Sequence, residues 1–62
     1  MKDKEIIEGA YADALGALYS VMRTSYLLAS GDKDSEKQAD EAFKAGLHLA
    51  RRVRDQALRL VG

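Results

Sequence analysis

Four serines at five-residue intervals, Ser20, Ser25, Ser30 and Ser35, and a single histidine, His48, are among the residues of this 62-residue chain whose types suit nucleophilic or acid–base chemistry. A nucleophilic hydroxyl needs a general base within hydrogen-bond reach, and the serines have none placed by motif; neither a G-x-S-x-G turn nor a glycine-rich phosphate loop is present. His48 falls in line with Asp34, Glu41 and Asp55 at seven-residue spacing, which resembles a ligand row. On a helix, however, residues seven apart lie ~10.5 Å from one another along the axis, so they do not share one metal ion. No E-x-x-H pair occurs, so the carboxylate-bridged metal bundle is not supported either. Cysteine is absent, which removes thiolate catalysis, disulfides and cysteine-based zinc sites together and suits a reducing, cytoplasmic setting. The expectation is a chain with no catalytic residue, no cofactor and no metal, in which His48 is a surface side chain.

Cations are the second chemical signal. Between residues 44 and 59 stand Lys44, Arg51, Arg52, Arg54 and Arg59 against the single anion Asp55. Such a run neutralises phosphates, and Lys44, Arg51, Arg52 and Arg59, which share the outer face of a helix, are the candidate nucleic-acid contacts. The competing expectation is a solvated helix end that pairs with the acidic start of the chain: Glu5 with Arg59, Asp13 with Arg51, Glu8 with Arg52 or Arg59. The ten basic and ten acidic side chains cancel, so no global field draws the molecule onto nucleic acid or an anionic membrane, and any such binding is local.

These residues must be positioned by helices. The chain has no proline and is rich in alanine, leucine and charged helix formers. The segment "SGDKDSEKQAD" interrupts it once, with Gly31 suited to the left-handed position past a helix end and Asp32, Asp34 or Ser35 suited to cap the next helix. Ser35 with Gln38 also fits the S-x-x-Q capping box. One domain, residues 1–62, is expected, with helices over about 3–30 and 34–60 and a loop over about 31–34. The charged N-terminus "MKDKE" does not read as a signal peptide. The apolar stretch "ALGALYSVMRTSYLLA", residues 14–29, is shorter than the roughly 20 residues needed for a bilayer and carries Arg23, so no membrane span is expected.

Alternating steps of three and four give a seam on each helix: Ile7, Tyr11, Ala14, Leu18, Val21, Ser25 and Leu28 on the first, Ala39, Phe43, Gly46, Ala50, Val53, Ala57 and Leu60 on the second. Folding back at Asp32 makes the seams meet layer by layer, several layers setting a large side chain against a small one. Beside the seams lie Leu15, Met22 and Ala29 on one flank and Ala10 and Ala17 on the other, with Leu47 and Val61, then Ala42 and Leu49, on the second helix. A two-helix hairpin cannot cover stripes this wide. The fold class expected is therefore all-α: an antiparallel two-helix hairpin forming a four-helix bundle by homodimerisation, with Ile7, Tyr11, Leu15, Leu18, Met22, Phe43, Leu47, Leu49 and Val53 as the dimer core.

In chain length, mid-chain loop, paired seams and the run "QAD" at residues 38–40, the sequence resembles the Rop family of plasmid-encoded RNA-binding helical hairpins, which dimerise into four-helix bundles. The resemblance implies a dimeric bundle and an RNA-regulating role. That family binds RNA through paired first helices bearing basic, amide and aromatic side chains; here the first helix has only Lys2, Lys4 and Arg23 as cations and no Asn or Gln, so no RNA-binding residue carries over.

Tyr19, Arg23, Tyr26 and Leu27 remain on the outer surface of the first helix, beside Gly16 and Ser20. Tyrosine and arginine are enriched at binding hot spots, so this is the candidate surface for a further protein partner; the alternative is that it completes the assembly itself. Gly9 and Gly16 inside the helix imply either close helix approach or a smooth docking surface. The functional expectation is a small non-enzymatic interaction or regulatory protein, with an RNA-binding regulator and an adaptor or chaperone-like subunit of a larger complex as alternatives.

Overall fold

The computed structural model describes residues 2–62. Two helices, α1 (Lys2–Ala29) and α2 (Lys33–Val61), pack against each other as a hairpin, and no strand occurs among the described residues. No helix among the described residues is long and apolar enough to cross a membrane.

The turn is tighter than the expected loop. Ser30 and Gly31 both take positive φ, 50° and 84°, which reverses the chain in two residues; the second conformation is one that glycine adopts without a Cβ penalty. The Ser30 N–H donates to the Leu27 carbonyl at 3.3 Å and the Asp32 N–H to that of Ala29 at 2.9 Å, satisfying carbonyls left over at the end of α1. Asp32 then caps α2: with extended backbone (φ −69°, ψ 117°), its carboxylate accepts from the Ser35 N–H at 2.9 Å and from the Ser35 hydroxyl at 2.7 Å. Ser35 is thus the third residue of α2 and a donor to the cap, and the S-x-x-Q capping box is not the device used. The Ser35 hydroxyl, followed by its backbone N–H, holds the Asp32 carboxyl below its usual range. At the far end, the Gly62 N–H closes on the Leu58 carbonyl at 3.0 Å.

The seam corrects the expected one. Half-buried positions on α1 are Ile7, Tyr11, Ala14, Leu15, Leu18, Met22, Ser25, Tyr26 and Ala29; on α2 they include Phe43, Gly46, Leu47, Ala50, Arg54, Ala57 and Leu58. Met22, Ala29 and Arg54 therefore stand where Val21, Leu28 and Val53 were expected. The reason is geometric: a straight α-helix repeats every 3.6 residues, so a strict seven-residue seam drifts by ~20° per heptad and the next residue rotates in. Leu18 lies on Gly46, where a Cβ would run into Leu18 Cδ2. The layer matches the expected fold-back register.

None of the expected interhelix ion pairs forms. Among the described residues the only one is local, Arg54 to Asp55 at 3.1 Å, and Arg59 donates to Gln56 Oε1 at 3.0 Å. At 100° per residue, Glu5, Glu8 and Arg51 fall toward one broad face of the hairpin, whereas Asp13, Arg52 and Arg59 fall toward the other. Glu5 with Arg59 and Asp13 with Arg51 are level along the axis but fall toward opposite sides of the molecule, and Glu8 is level with Gln56, between Arg52 and Arg59. Two other contacts clasp the helices. The Arg54 guanidinium lies 4.3 Å from the centroid of the Tyr11 ring, a cation–π contact in the seam, and the Tyr26 hydroxyl donates to Asp40 Oδ1.

Candidate functional site: an open apolar face

The hairpin has almost no interior. Ala39, 8% exposed, is the only buried residue among those described. The chain has an accessible surface of 5028 Å², against roughly 4,000 Å² for a compact monomer of its mass. Its radius of gyration is 14.4 Å, where about 11 Å is usual for a compact domain of this length. Two rods side by side explain both figures, since each rod turns only one stripe toward its neighbour.

The surface left over is not evenly polar. On one broad face a groove of about 580 Å³ runs between the helices, with Ile7, Ala14 and Val21 along one wall, Leu49 and Val53 along the other, and Leu18 on Gly46 in the floor. It continues toward the turn past Ala42 to Leu28, and toward the chain ends past Leu60. The apolar residues that make it repeat at alternating intervals of three and four: Ile7, Ala10, Ala14, Ala17 and Val21, then Leu28, on α1; Ala42, Gly46, Leu49 and Val53, then Leu60, on α2. Five of its large side chains, Val21, Leu28, Leu49, Val53 and Leu60, are between 60% and 81% exposed. Covering each is worth roughly 1.5–3 kcal/mol, a large share of the 5–15 kcal/mol by which a domain is usually stable.

The expected dimer core divides over this geometry. Leu49 and Val53 stand on the open face, while Ile7, Tyr11, Leu18 and Phe43 lie half-buried in the seam. Leu15, Met22 and Leu47, expected on uncovered flanks, are already half-buried within the single chain, and Met22 lines the groove's continuation toward the turn. Sequence reasoning missed Val21, Leu28 and Leu60 as members of the open face because it assigned them to the seam; the signal that finds them is the strict heptad they keep with Ala10, Ala17, Ala42 and Leu49.

Of the expected partner surface, Tyr19, Arg23 and Leu27 are exposed, but Tyr26 is half-buried and engaged. Its bond to Asp40, then partial burial, then the negative charges of Asp40 and Glu36, push its hydroxyl up to about 12 from the usual 10.0. Gly9 and Gly16 have nothing within 4 Å of where a Cβ would stand, so neither serves close approach of α1 to α2. The expected nucleic-acid contacts do not gather into one patch: Arg52 and Arg59 edge the open face, while Lys44 and Arg51 point out from the other side of α2. His48 is exposed, and no group of three His, Asp or Glu side chains with metal-binding geometry occurs among the described residues. No family model, no curated protein and no solved structure matches this chain.

Proposed function

We infer that this chain is a small, non-enzymatic interaction protein that works as a homodimer, two hairpins closing their open faces into a four-helix bundle. The observation that carries the reading is the continuous heptad-spaced apolar face on a hairpin with a single buried residue among those described. The surface in excess of a compact monomer, about 1,000 Å² per chain, is the amount a stable interface requires: two chains giving it up together bury roughly 2,000 Å², at the upper end of standard interfaces. A second hairpin matches the groove in length, apolar width and periodicity.

An RNA-binding regulator is the second reading, and the arginines Arg52 and Arg59 at the rim of the face favour it, since a dimer carries two such rims. The test of the main reading is directed at the face. Val53→Glu together with Leu49→Glu is expected to halve the mass measured by light scattering and to lower helicity, whereas Leu27→Glu, on the outer surface of α1, leaves the dimer intact. A double variant that stays dimeric overturns the assignment of the face.

A further inference from the structure

We propose that two contacts, Tyr26 with Asp40 and Arg54 with Tyr11, act as a rotational lock: they hold the helices at the angle that keeps the row Val21, Leu28, Val53 and Leu60 outside the seam, and so create the open face. The lock belongs to the hairpin itself and goes beyond the dimer reading above. Among the described residues, the bond from the Tyr26 hydroxyl to Asp40 is the only side-chain hydrogen bond between the helices, and Arg54 over the Tyr11 ring, at 4.3 Å, is the only cation–π contact. One lies in the half toward the turn, the other in the half toward the chain ends. All four side chains are half-buried.

Both contacts stand toward the edge of the seam away from the open face. At 100° per residue, Tyr26 lies about 140° from Val21 around α1, Asp40 about 140° from Val53 around α2, and Arg54 about 100° from Val53 in the same sense. Turning Val21 and Val53 into the seam therefore carries Tyr26 and Asp40 out of it and apart, and lifts the Arg54 guanidinium from the Tyr11 ring. Apolar packing does not choose between the two rotations. The observed one covers Leu15, Met22 and Leu47 and gives up Val21, Leu28 and Val53, three large side chains for three. With that balance nearly even, directional contacts decide it, and a hydrogen bond to a carboxylate and a cation over a ring face are both directional. Losing them hides the face without unfolding the hairpin.

The chain has no cysteine, so a single introduced thiol reports the rotation. Leu15 lies about 20° from Tyr26 around α1 and turns outward with it, whereas Leu18, on Gly46, stays between the helices at either angle. Leu15→Cys and Leu18→Cys are each placed in the otherwise wild-type chain, in Asp40→Ala with Arg54→Gln, which breaks both contacts, and in Asp40→Asn with Arg54→Lys, which keeps an acceptor and a cation. Thiol alkylation at Leu15→Cys is expected to accelerate about tenfold in the first pair and to keep the wild-type rate in the second, with Leu18→Cys unchanged throughout. If the first pair loses helicity, each of its substitutions is read alone against the same two thiols. Equal acceleration at both positions, the mark of a hairpin loosened as a whole, overturns the lock, and so does acceleration at neither. Sedimentation of the wild-type chain is read separately: a folded monomer whose Leu15→Cys responds in this way keeps the lock and overturns the dimer reading alone.

Discussion

Two side chains with displaced titrations make the hairpin's stability depend on pH at both extremes. Asp32, at the start of α2, has its carboxyl held below the usual 3.8 by the Ser35 hydroxyl and N–H. A carboxyl depressed in the folded state contributes stability that is complete above its unfolded value and disappears as pH falls through the folded one. Melts taken between pH 5 and the acid limit are therefore expected to show a fall in Tm for the wild type that is smaller in Asp32→Asn, whose amide still caps but does not titrate. Tyr26 has the opposite sign. Its hydroxyl is raised to about 12 from 10.0, so its bond to Asp40 contributes fully below pH 10 and is lost as pH rises toward 12. Tyr26→Phe is expected to lower Tm at neutral pH and to flatten the alkaline loss, read from melts on either side of pH 10. Little of this was legible in the sequence. Three residues competed to cap α2, and whether Tyr26 reaches Asp40 depends on the rotation of one helix against the other, which no local pattern records. The failed ion pairs share that cause: axial level follows from the fold-back register, whereas the face each charge takes also depends on how its helix is rotated into the seam.

The helices themselves were legible. Composition and a single Gly–Asp interruption placed both, and the observed limits, Lys2–Ala29 and Lys33–Val61, differ from the expected ones by about a residue. The register was legible too, because Leu18 and Gly46 form a large-on-small layer. The seam was legible only near that layer. Away from it, the 3.6-residue repeat replaced Val21, Leu28 and Val53 with Met22, Ala29 and Arg54, and so turned a row expected to be inside onto the open face. The glycines of α1 give this scale its prediction. Gly9 and Gly16 cost about 1 kcal/mol each relative to alanine in a helix interior, and neither has a neighbour within 4 Å. Gly9→Ala and Gly16→Ala are each expected to raise stability by about that amount in urea unfolding while leaving the mass in solution unchanged. A loss of stability in either would mean that something packs on the back of α1.

At the scale of the molecule, a chain whose only buried residue among those described is Ala39 has no core of its own. Its large side chains are half-covered in the seam or exposed, and five of the nine exposed ones, Val21, Leu28, Leu49, Val53 and Leu60, are gathered on one face at a coiled-coil repeat. Conformational entropy costs about 1–2 kcal/mol per residue ordered, and a half-buried seam is a weak counterweight to it. In the proposed dimer, shared burial between two chains would supply the difference and join folding to association. On the proposed dimer, the stretch at residues 14–29, so poor in charge for one helix in water, would face neighbours on two sides: α2 through Leu18 and Met22, a second chain through Ala17, Val21 and Leu28. The measurement that bears most directly on this is sedimentation equilibrium of the wild-type chain alongside thermal melts over a hundredfold range of concentration. The account predicts twice the chain mass of 6.8 kDa at micromolar concentration and a Tm that climbs with concentration. A helical species of single-chain mass whose Tm is the same at every concentration would contradict it.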